Sequence, residues 1–498
     1  LMNKKQFMVL SMALVILLTG LFSTPLTARA AGIVGDGTPR GCTEAALEAA
    51  VSKGGRVTYN CGASAQTIAI SNPITISLDT TINGQDLVTL SGRNLTRLFS
   101  VTAGVTLILQ QLTLANGSAD FGGAIYNAGG LEINRCILMN NHSSGGSGGG
   151  IYNDGTLSIT NSTLSNNFAD GGSGGAIYNA GVLYLENSTL SNNGGERAGG
   201  GILNSGTAFI TQDIFINNSG NYGGGLQNQG EATITKSTIT SNITTQFMGG
   251  GIHNTGQLTI VESTFADNSS ATRQNGGGLA NQGNTSITNS LFINNTAPDG
   301  LGAGIYNSGQ LTLVADTLAS NQAVSGWGGG IYSTMSGSLN ITNSTFSDNF
   351  GEHDGGGIYT VGSAMILNST FYDNLPNSFV QIGSTNFSIR NSIIAGAPTG
   401  NCKGTITSLG RNLEDGDTCG FVRAGDLQKT DPRLGPLAYN GGLTPTHALL
   451  PGSLAIDAGS NPACPSEDQR GAPRPVFGTC DIGSYELGLV VQLPMVIK

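Results

Sequence analysis

The chain has 498 residues, of which 77 are glycine and only 10% are charged. That glycine content is roughly twice the usual share, but 38% hydrophobic residues is too many for a disordered polymer and the 15 prolines follow no Gly-X-Y period, so collagen and simple linker are excluded. A formal charge of −10 argues against phosphate-backbone binding, which needs clustered Lys and Arg, and no nucleic-acid partner is expected. Taken in chain order, residues 1–30 read as a secretory signal peptide: Lys4 and Lys5 form a basic start, residues 8–18 an apolar core and Ala28-Arg29-Ala30 a small-residue cleavage site. No later segment is apolar enough to span a bilayer, so the mature chain is expected outside the cell or on its surface, without a transmembrane span. Residues 31–65 read as an N-terminal cap. Apolar residues at helical spacing fill 43–52, with Thr43 as N-cap and Gly54-Gly55 as the stop.

Export makes disulfides possible, and six of the seven cysteines fall in sequence-near pairs: Cys42 with Cys61, Cys402 with Cys419, Cys464 with Cys480. Zinc is the rival reading, but no CxxC or CxxH spacing occurs. Cys136 is left over.

Residues 66–400 are organised by a repeat. The anchor Gly-Gly-(Gly/Ala)-Ile, in full or varied form, begins at Gly122, Gly148, Gly174, Gly199, Gly223, Gly249, Gly276, Gly302, Gly328 and Gly355, a period of about 26 residues. The units read as short alternating runs such as Thr156-Leu157-Ser158-Ile159-Thr160, which is strand periodicity and not helix. Stacking such coils makes columns. Ile125, Ile151, Ile177, Ile202 and their successors form an apolar ladder, and Asn141, Asn167, Asn193, Asn218 and theirs an amide ladder at a corner. The expected fold is an all-β parallel solenoid of about 12 coils, roughly 60 Å long.

This pattern resembles the pectate-lyase-like right-handed parallel β-helix superfamily, and more closely the polymorphic outer-membrane-protein repeats with paired GGA(I/L/V) and FxxN signatures. Gly122-Gly123-Ala124-Ile125 and Gly174-Gly175-Ala176-Ile177 match the first; Phe215…Asn218, Phe265…Asn268, Phe292…Asn295, Phe346…Asn349 and Phe371…Asn374 match the second. After residue 400 the repeat stops. Asp431-Pro432-Arg433-Leu434-Gly435, Asn440-Gly441-Gly442-Leu443-Thr444, His447-Ala448-Leu449-Leu450-Pro451-Gly452-Ser453, Ala455-Ile456-Asp457-Ala458-Gly459, Asp468-Gln469-Arg470-Gly471 and Cys480-Asp481-Ile482-Gly483 resemble the choice-of-anchor Q domain. The resemblance implies a secreted protein, with 401–486 as a small capping or anchor region and 487–498 as a hydrophobic tail for surface attachment. His447, Asp457, Asp468 and Arg470 read as salt-bridge partners in that region.

Three sets of residues carry candidate chemistry. Asp348 and Asp373 share a column on adjacent coils, and Glu352, His353 and Asp354 project from the following turn. Stacked strands lie about 4.8 Å apart, so paired acids one or two coils apart suit glycosidase geometry. Asp348, Asp373 and His353 are therefore the catalytic candidates, and Asp348, Glu352, Asp354 and Asp373 the candidate calcium ligands; calcium is the one cofactor considered. The bland reading is that Asp replaces Asn at a corner, as at Asp267. Tyr126, Tyr152 and Tyr178 stack on three coils beside inward isoleucines, and Tyr306, Tyr332 and Tyr359 repeat the arrangement, forming an outward stripe for a glycan or protein partner. Alone in that column, His253 reads as a surface substitution. Asp213 and Asp316 fall in an inward serine column, four coils apart, too far to act together. The leading expectation is a non-enzymatic surface scaffold with an adhesive role; the alternative is a polysaccharide lyase or glycoside hydrolase.

Overall fold

The computed structural model describes residues 32–381 and 387–488. The signal-peptide reading of 1–30 lies outside the described residues, as does all of the 487–498 tail but its first two. What is described is a right-handed parallel β-helix. Each coil contributes a five-residue strand such as Thr156–Thr160, a three-residue strand such as Thr163–Ser165, and a third strand such as Ile151–Asn153. The third strands alone stack into a 14-stranded parallel sheet. Ten of its rungs belong to the glycine anchors; Ile74–Ile76, Phe99–Val101, Phe379–Gln381 and Cys402–Lys403 add four without one. The solenoid is therefore longer than the anchors foretell, because coils at either end keep the inward apolar residues and lose only the glycines.

The anchor glycines answer a steric demand. Gly174 sits at φ +70°, and a Cβ there would lie 2.3 Å from the carbonyl oxygen of Ile177, so neither the backbone angle nor the space admits a side chain. Inside, Ile125, Ile151, Ile177, Ile202 and the Phe of each FxxN are essentially inaccessible. Phe265 stacks on Phe292 at 4.4 Å and Phe346 on Phe371 at 4.5 Å.

Two amide ladders run the length of the solenoid, where sequence reading names one. In the first, Asn167 donates from Nδ2 to Asn193 Oδ1 (3.0 Å) and to the Leu138 carbonyl (3.0 Å), while its backbone N–H also donates to Asn193 Oδ1 (2.9 Å). In the second, the Asn that ends each Ile-Tyr-Asn strand does the same: Asn127 donates to Asn153 Oδ1 (2.7 Å), and Asn153 to Asn179 Oδ1 (2.7 Å). Repeating the bond from coil to coil, until Ser333 and Thr360 take the Asn position of the second ladder, satisfies buried amides that would each cost about 1–3 kcal/mol if left unpaired.

Both ends are closed. Strand β1 (Gly32–Val34) pairs in parallel with β2 (Gly55–Tyr59), and helix α1 (Glu44–Val51) buries Leu47, Ala50 and Val51 over the first coil. Thr43 Oγ1 accepts the Ala46 N–H at 3.2 Å, the expected N-cap. All three expected disulfides form, and Cys136 is the free, buried thiol. At the other end Phe421, two residues beyond the Cys402–Cys419 disulfide, joins the solenoid core.

The rest of the C-terminal segment does not sit on the end. It folds back along the flank, over a ridge of corner residues that all hold positive φ, among them Glu262, Asn289, Ala315, Asn343, Asn368 and Asn391. Thr444 Oγ1 donates to the Ala315 carbonyl (3.0 Å), Asn343 Nδ2 to Glu467 O (2.7 Å), Asn368 Nδ2 to Ala463 O (3.0 Å), and Asn391 Nδ2 to Ser460 O (3.3 Å). A second, smaller core closes this junction, with Ile393 and Leu413 of the solenoid against Leu449, Ala455 and Ile482. Within the segment, Arg474 and Glu486 form a fully buried ion pair at 3.0 Å, and Arg470 pairs with Asp468 at 2.7 Å while lying over the Tyr485 ring.

Candidate functional site

The acidic cluster is divided by the structure. Asp348 and Asp373 occupy successive rungs of a corner column at φ 54° each, a position held by Asn192, Asn294 and Asp267 elsewhere. Asn and Asp are the residues besides Gly that tolerate this left-handed conformation, so the backbone alone accounts for the residue type. The surroundings are nonetheless acidic. Burial, reinforced by Asp348 and then Asp415, raises the Asp373 carboxyl above its usual range. Next to them, His447 donates from Nδ1 to the Gly435 carbonyl (2.8 Å), and its Nε2 lies 3.0 Å from Ser347 Oγ. Ser347 Oγ is also 3.0 Å from Asp348 Oδ2, so one hydroxyl proton serves two acceptors. Burial lowers the His447 imidazole below its ordinary range. His447 thereby joins the C-terminal segment to the corner of Asp348.

The following turn faces elsewhere. Glu352 accepts the Ser325 N–H at 2.8 Å; Asp354 pairs with Lys403 at 2.5 Å and accepts from Asn377 Nδ2 at 2.9 Å. His353 packs on Trp327 at 4.8 Å. It is thus beside the tyrosine stripe and not among the groups that shift Asp373. Among the described residues no three His, Cys, Asp or Glu side chains converge in a metal-binding arrangement.

The tyrosine stripe is in register. Tyr126, Tyr152 and Tyr178 are direct Cα partners, with centroids 5.3 and 4.7 Å apart and near-parallel planes. Tyr306, Tyr332 and Tyr359 repeat this at 5.9 and 5.1 Å. The ring faces are spent on each other, so what the stripe offers is ring edges and hydroxyls at the coil repeat. Burial pushes the Tyr152 hydroxyl up to about 12. Tyr126 donates to Asp154 Oδ2 at 2.8 Å, and Arg97 lies over its ring. Trp327, absent from the sequence-derived set, extends the second stack from the neighbouring corner, 6.3 Å from Tyr359.

Between the two stacks the column reads Leu203, Gln227, His253 and Ala280. Here the surface reading of His253 is corrected. It is 4% exposed, its Nδ1 3.0 Å from Gln227 Oε1 and its Nε2 3.1 Å from Gln282 Oε1, with Tyr222 stacked at 5.0 Å. Loops that fold over the column bury it, and burial lowers its pKa to about 4.

The inward acids are where sequence reading places them. Asp213 accepts the N–H groups of Ser188 (2.7 Å) and Thr211 (2.9 Å), and Asp316 those of Ser290 (2.7 Å) and Val314 (2.8 Å). Burial pushes Asp213 up to about 7 and Asp316 well above the carboxylate range. Cys136, in the same column, is pushed by burial up to about 11, which makes it an unreactive thiol.

Residues 343–361 match the Chlamydia polymorphic membrane protein repeat. That stretch runs from the ridge residue Asn343 through Phe346…Asn349 to Gly355-Gly356-Gly357-Ile358, one complete pair of signatures. The chain is thus a parallel β-helix in which one stretch matches the polymorphic membrane protein repeat. No curated protein is detectably similar. Solved structures with a similar course of the chain include the alginate lyase AlyF-OU02 in complex with G6, with a TM-score of 0.38 and 14% identity over 74% of this chain and 90% of that one. A PL6 alginate lyase bound to a trisaccharide gives 0.36 and 12%, over 78% and 90%. The pectate lyase Pel9A gives 0.26 and 12%, over 92% and 96%.

Proposed function

We propose that this protein is an exported surface scaffold with an adhesive role, whose β-helix presents the tyrosine column to a glycan or protein. The observation that carries the reading is the second stack. Tyr306, Tyr332 and Tyr359 align rung on rung, with Trp327 and His353 alongside. A row of protonated hydroxyls at a constant repeat suits a partner that is itself periodic, and three disulfides fit an oxidising exterior. Attachment through the choice-of-anchor-like region 401–486 and the tail 487–498 belongs to the same proposal.

The test is binding of the purified chain to a glycan array and to intact cells, with a Tyr306→Phe/Tyr332→Phe/Tyr359→Phe variant that keeps the stacks and removes the hydroxyls. A loss of tenfold or more is expected; unchanged binding counts against the stripe. The enzymatic alternative rests on Asp373, the acid raised by burial and then by its neighbours Asp348 and Asp415. Release of reducing ends or unsaturated ends from a polysaccharide panel, abolished in Asp348→Ala/Asp373→Ala, would replace the scaffold reading with the hydrolase or lyase one.

A further inference from the structure

The flank ridge is covered by the C-terminal segment only in part, and a cleft opens where the cover ends. The ridge residues beneath the segment are Ala315, Asn343, Asn368 and Asn391; just before them come Glu262 and Asn289, over which the tip of the hairpin formed by Leu434–Ala438 and Thr446–Leu449 projects. Glu262, Thr264, Asn289 and Leu291 of the solenoid face Tyr439 and Leu443 of the tip across a cleft of about 110 Å³.

Two features distinguish it from a packing gap. Tyr439 is 65% exposed and Leu443 58% exposed, and neither belongs to either core. Yet the tip that carries them is fixed: Asn440 Nδ2 donates to Thr446 O (2.8 Å), Arg470 to the Asn440 carbonyl (3.3 Å), and Thr444 Oγ1 to Ala315 O (3.0 Å). Large apolar side chains held in water by a tied-down loop are preorganised for a ligand, because the loop itself need not be ordered on binding. The lining supplies an aromatic ring, two leucines, an amide, the hydroxyls of Ser263 and Thr264 and a carboxylate, the mixture that takes a sugar by its apolar face and its polar edge. Its volume is below that of the roughly 150 Å³ cavity that holds benzene. It therefore seats one terminal group and not a chain. The one charge in the lining is the Glu262 carboxylate, and the nearby Lys236 pairs with it at 3.6 Å, so a uronate carboxylate meets a like charge and no free cation in the lining.

We infer that this cleft binds the end of a glycan through one neutral N-acetylated hexose, whose acetamido group alone enters between Leu443, Leu291 and Asn289 while the sugar ring stays outside, against the exposed Tyr439. The inference rests on the scaffold reading and names a second, end-binding site for it. The test is calorimetric titration of the full chain with a hexamer of N-acetylglucosamine and a hexamer of a uronate, repeated for Tyr439→Ala and for the Tyr306→Phe/Tyr332→Phe/Tyr359→Phe variant. Tyr439→Ala replaces an exposed residue, so folding is not at stake. Expected are binding of the N-acetylated hexamer, at least tenfold weakening in Tyr439→Ala, and little change in the triple variant. Equal affinity in Tyr439→Ala with loss in the triple variant overturns the cleft and leaves the stripe standing. Preference for the uronate, or no saccharide bound by the wild-type chain, overturns the cleft assignment.

Discussion

Asp213 replaces a serine at a place where both residue types meet the same demand. Ser162 Oγ accepts nothing from its own coil but donates to the Thr160 carbonyl at 2.8 Å, and the Ser188 hydroxyl accepts the Ser162 N–H at 3.1 Å. Asp213 instead accepts two N–H groups, from Ser188 and Thr211. Its carboxyl titrates near 7 in the fold against 3.8 when free. Between those values the folded chain holds a proton the unfolded chain has released, so stability falls as pH rises from about 4 to about 7 and is level above. Asp213→Ser should therefore stabilise the protein by about 1–3 kcal/mol at pH 8 and by much less at pH 5, read as unfolding midpoints by circular dichroism. An equal gain at both would mean the carboxylate is ionised throughout. His253 has the opposite sign: buried neutral with a pKa of about 4 against 6.5, it gives stability that is complete above pH 6.5 and lost as pH falls through 4. His253→Gln should flatten the acid limb of the stability profile. At the anchors, Gly174→Ala meets both a left-handed backbone and the Ile177 carbonyl, a cost of at least about 1–2 kcal/mol, visible as a lowered thermal midpoint.

At the level of elements, each buried amide ladder is one hydrogen-bonded column, so loss of a rung is felt on both sides. Asn193→Ala would take a partner from the Asn167 N–H, from one of the two Asn167 Nδ2 hydrogens and from the Leu164 carbonyl together. With each unsatisfied buried group costing about 1–3 kcal/mol, this change should lower the urea midpoint far more than Asn→Ala at an exposed corner. A difference of less than about 1 kcal/mol would show that the ladder relaxes around the gap. The first ladder is legible in the sequence because FxxN marks it. The second is hidden in Ile-Tyr-Asn, where Tyr and Ile draw the eye and the period-two alternation already places Asn inward beside Ile. His253 is misread for a related reason. Alternation assigns it to the outer face, and only the two successive loops carrying Tyr222 and Phe247 decide that this part of the face is covered.

For the whole molecule, the C-terminal segment is the part whose position depends on long-range contacts. Its buried Arg474–Glu486 pair holds residues 474–486 together, and Arg474 also donates to Asn343 Oδ1 on the ridge at 3.1 Å. Removing one partner of a buried pair typically costs about 3–5 kcal/mol. Arg474→Met should release the segment before the solenoid melts, so limited proteolysis should cut within 434–488 while the strand signal persists. Cutting and melting at one temperature would show the two parts to be a single cooperative unit.

The sequence by itself determined the coil, its period, the inward columns, the capping helix and the three disulfide pairs, because these follow from local rules. Alternation chooses the face, glycine and asparagine mark left-handed corners, and near cysteines close short loops. Identical coils stacked at one spacing carry each local choice along the axis. Tertiary structure alone decided what lies on the outside: that the C-terminal segment runs along the flank and not only over the end, that Asp348 and Glu352 face different neighbours, that His447 meets Ser347, and that Tyr439 overhangs Glu262 and Asn289. A solenoid repeats its exterior as faithfully as its interior, so no periodicity distinguishes a covered rung from a bare one. Along the flank that distinction depends on hydrogen bonds between residues 69 to 153 positions apart.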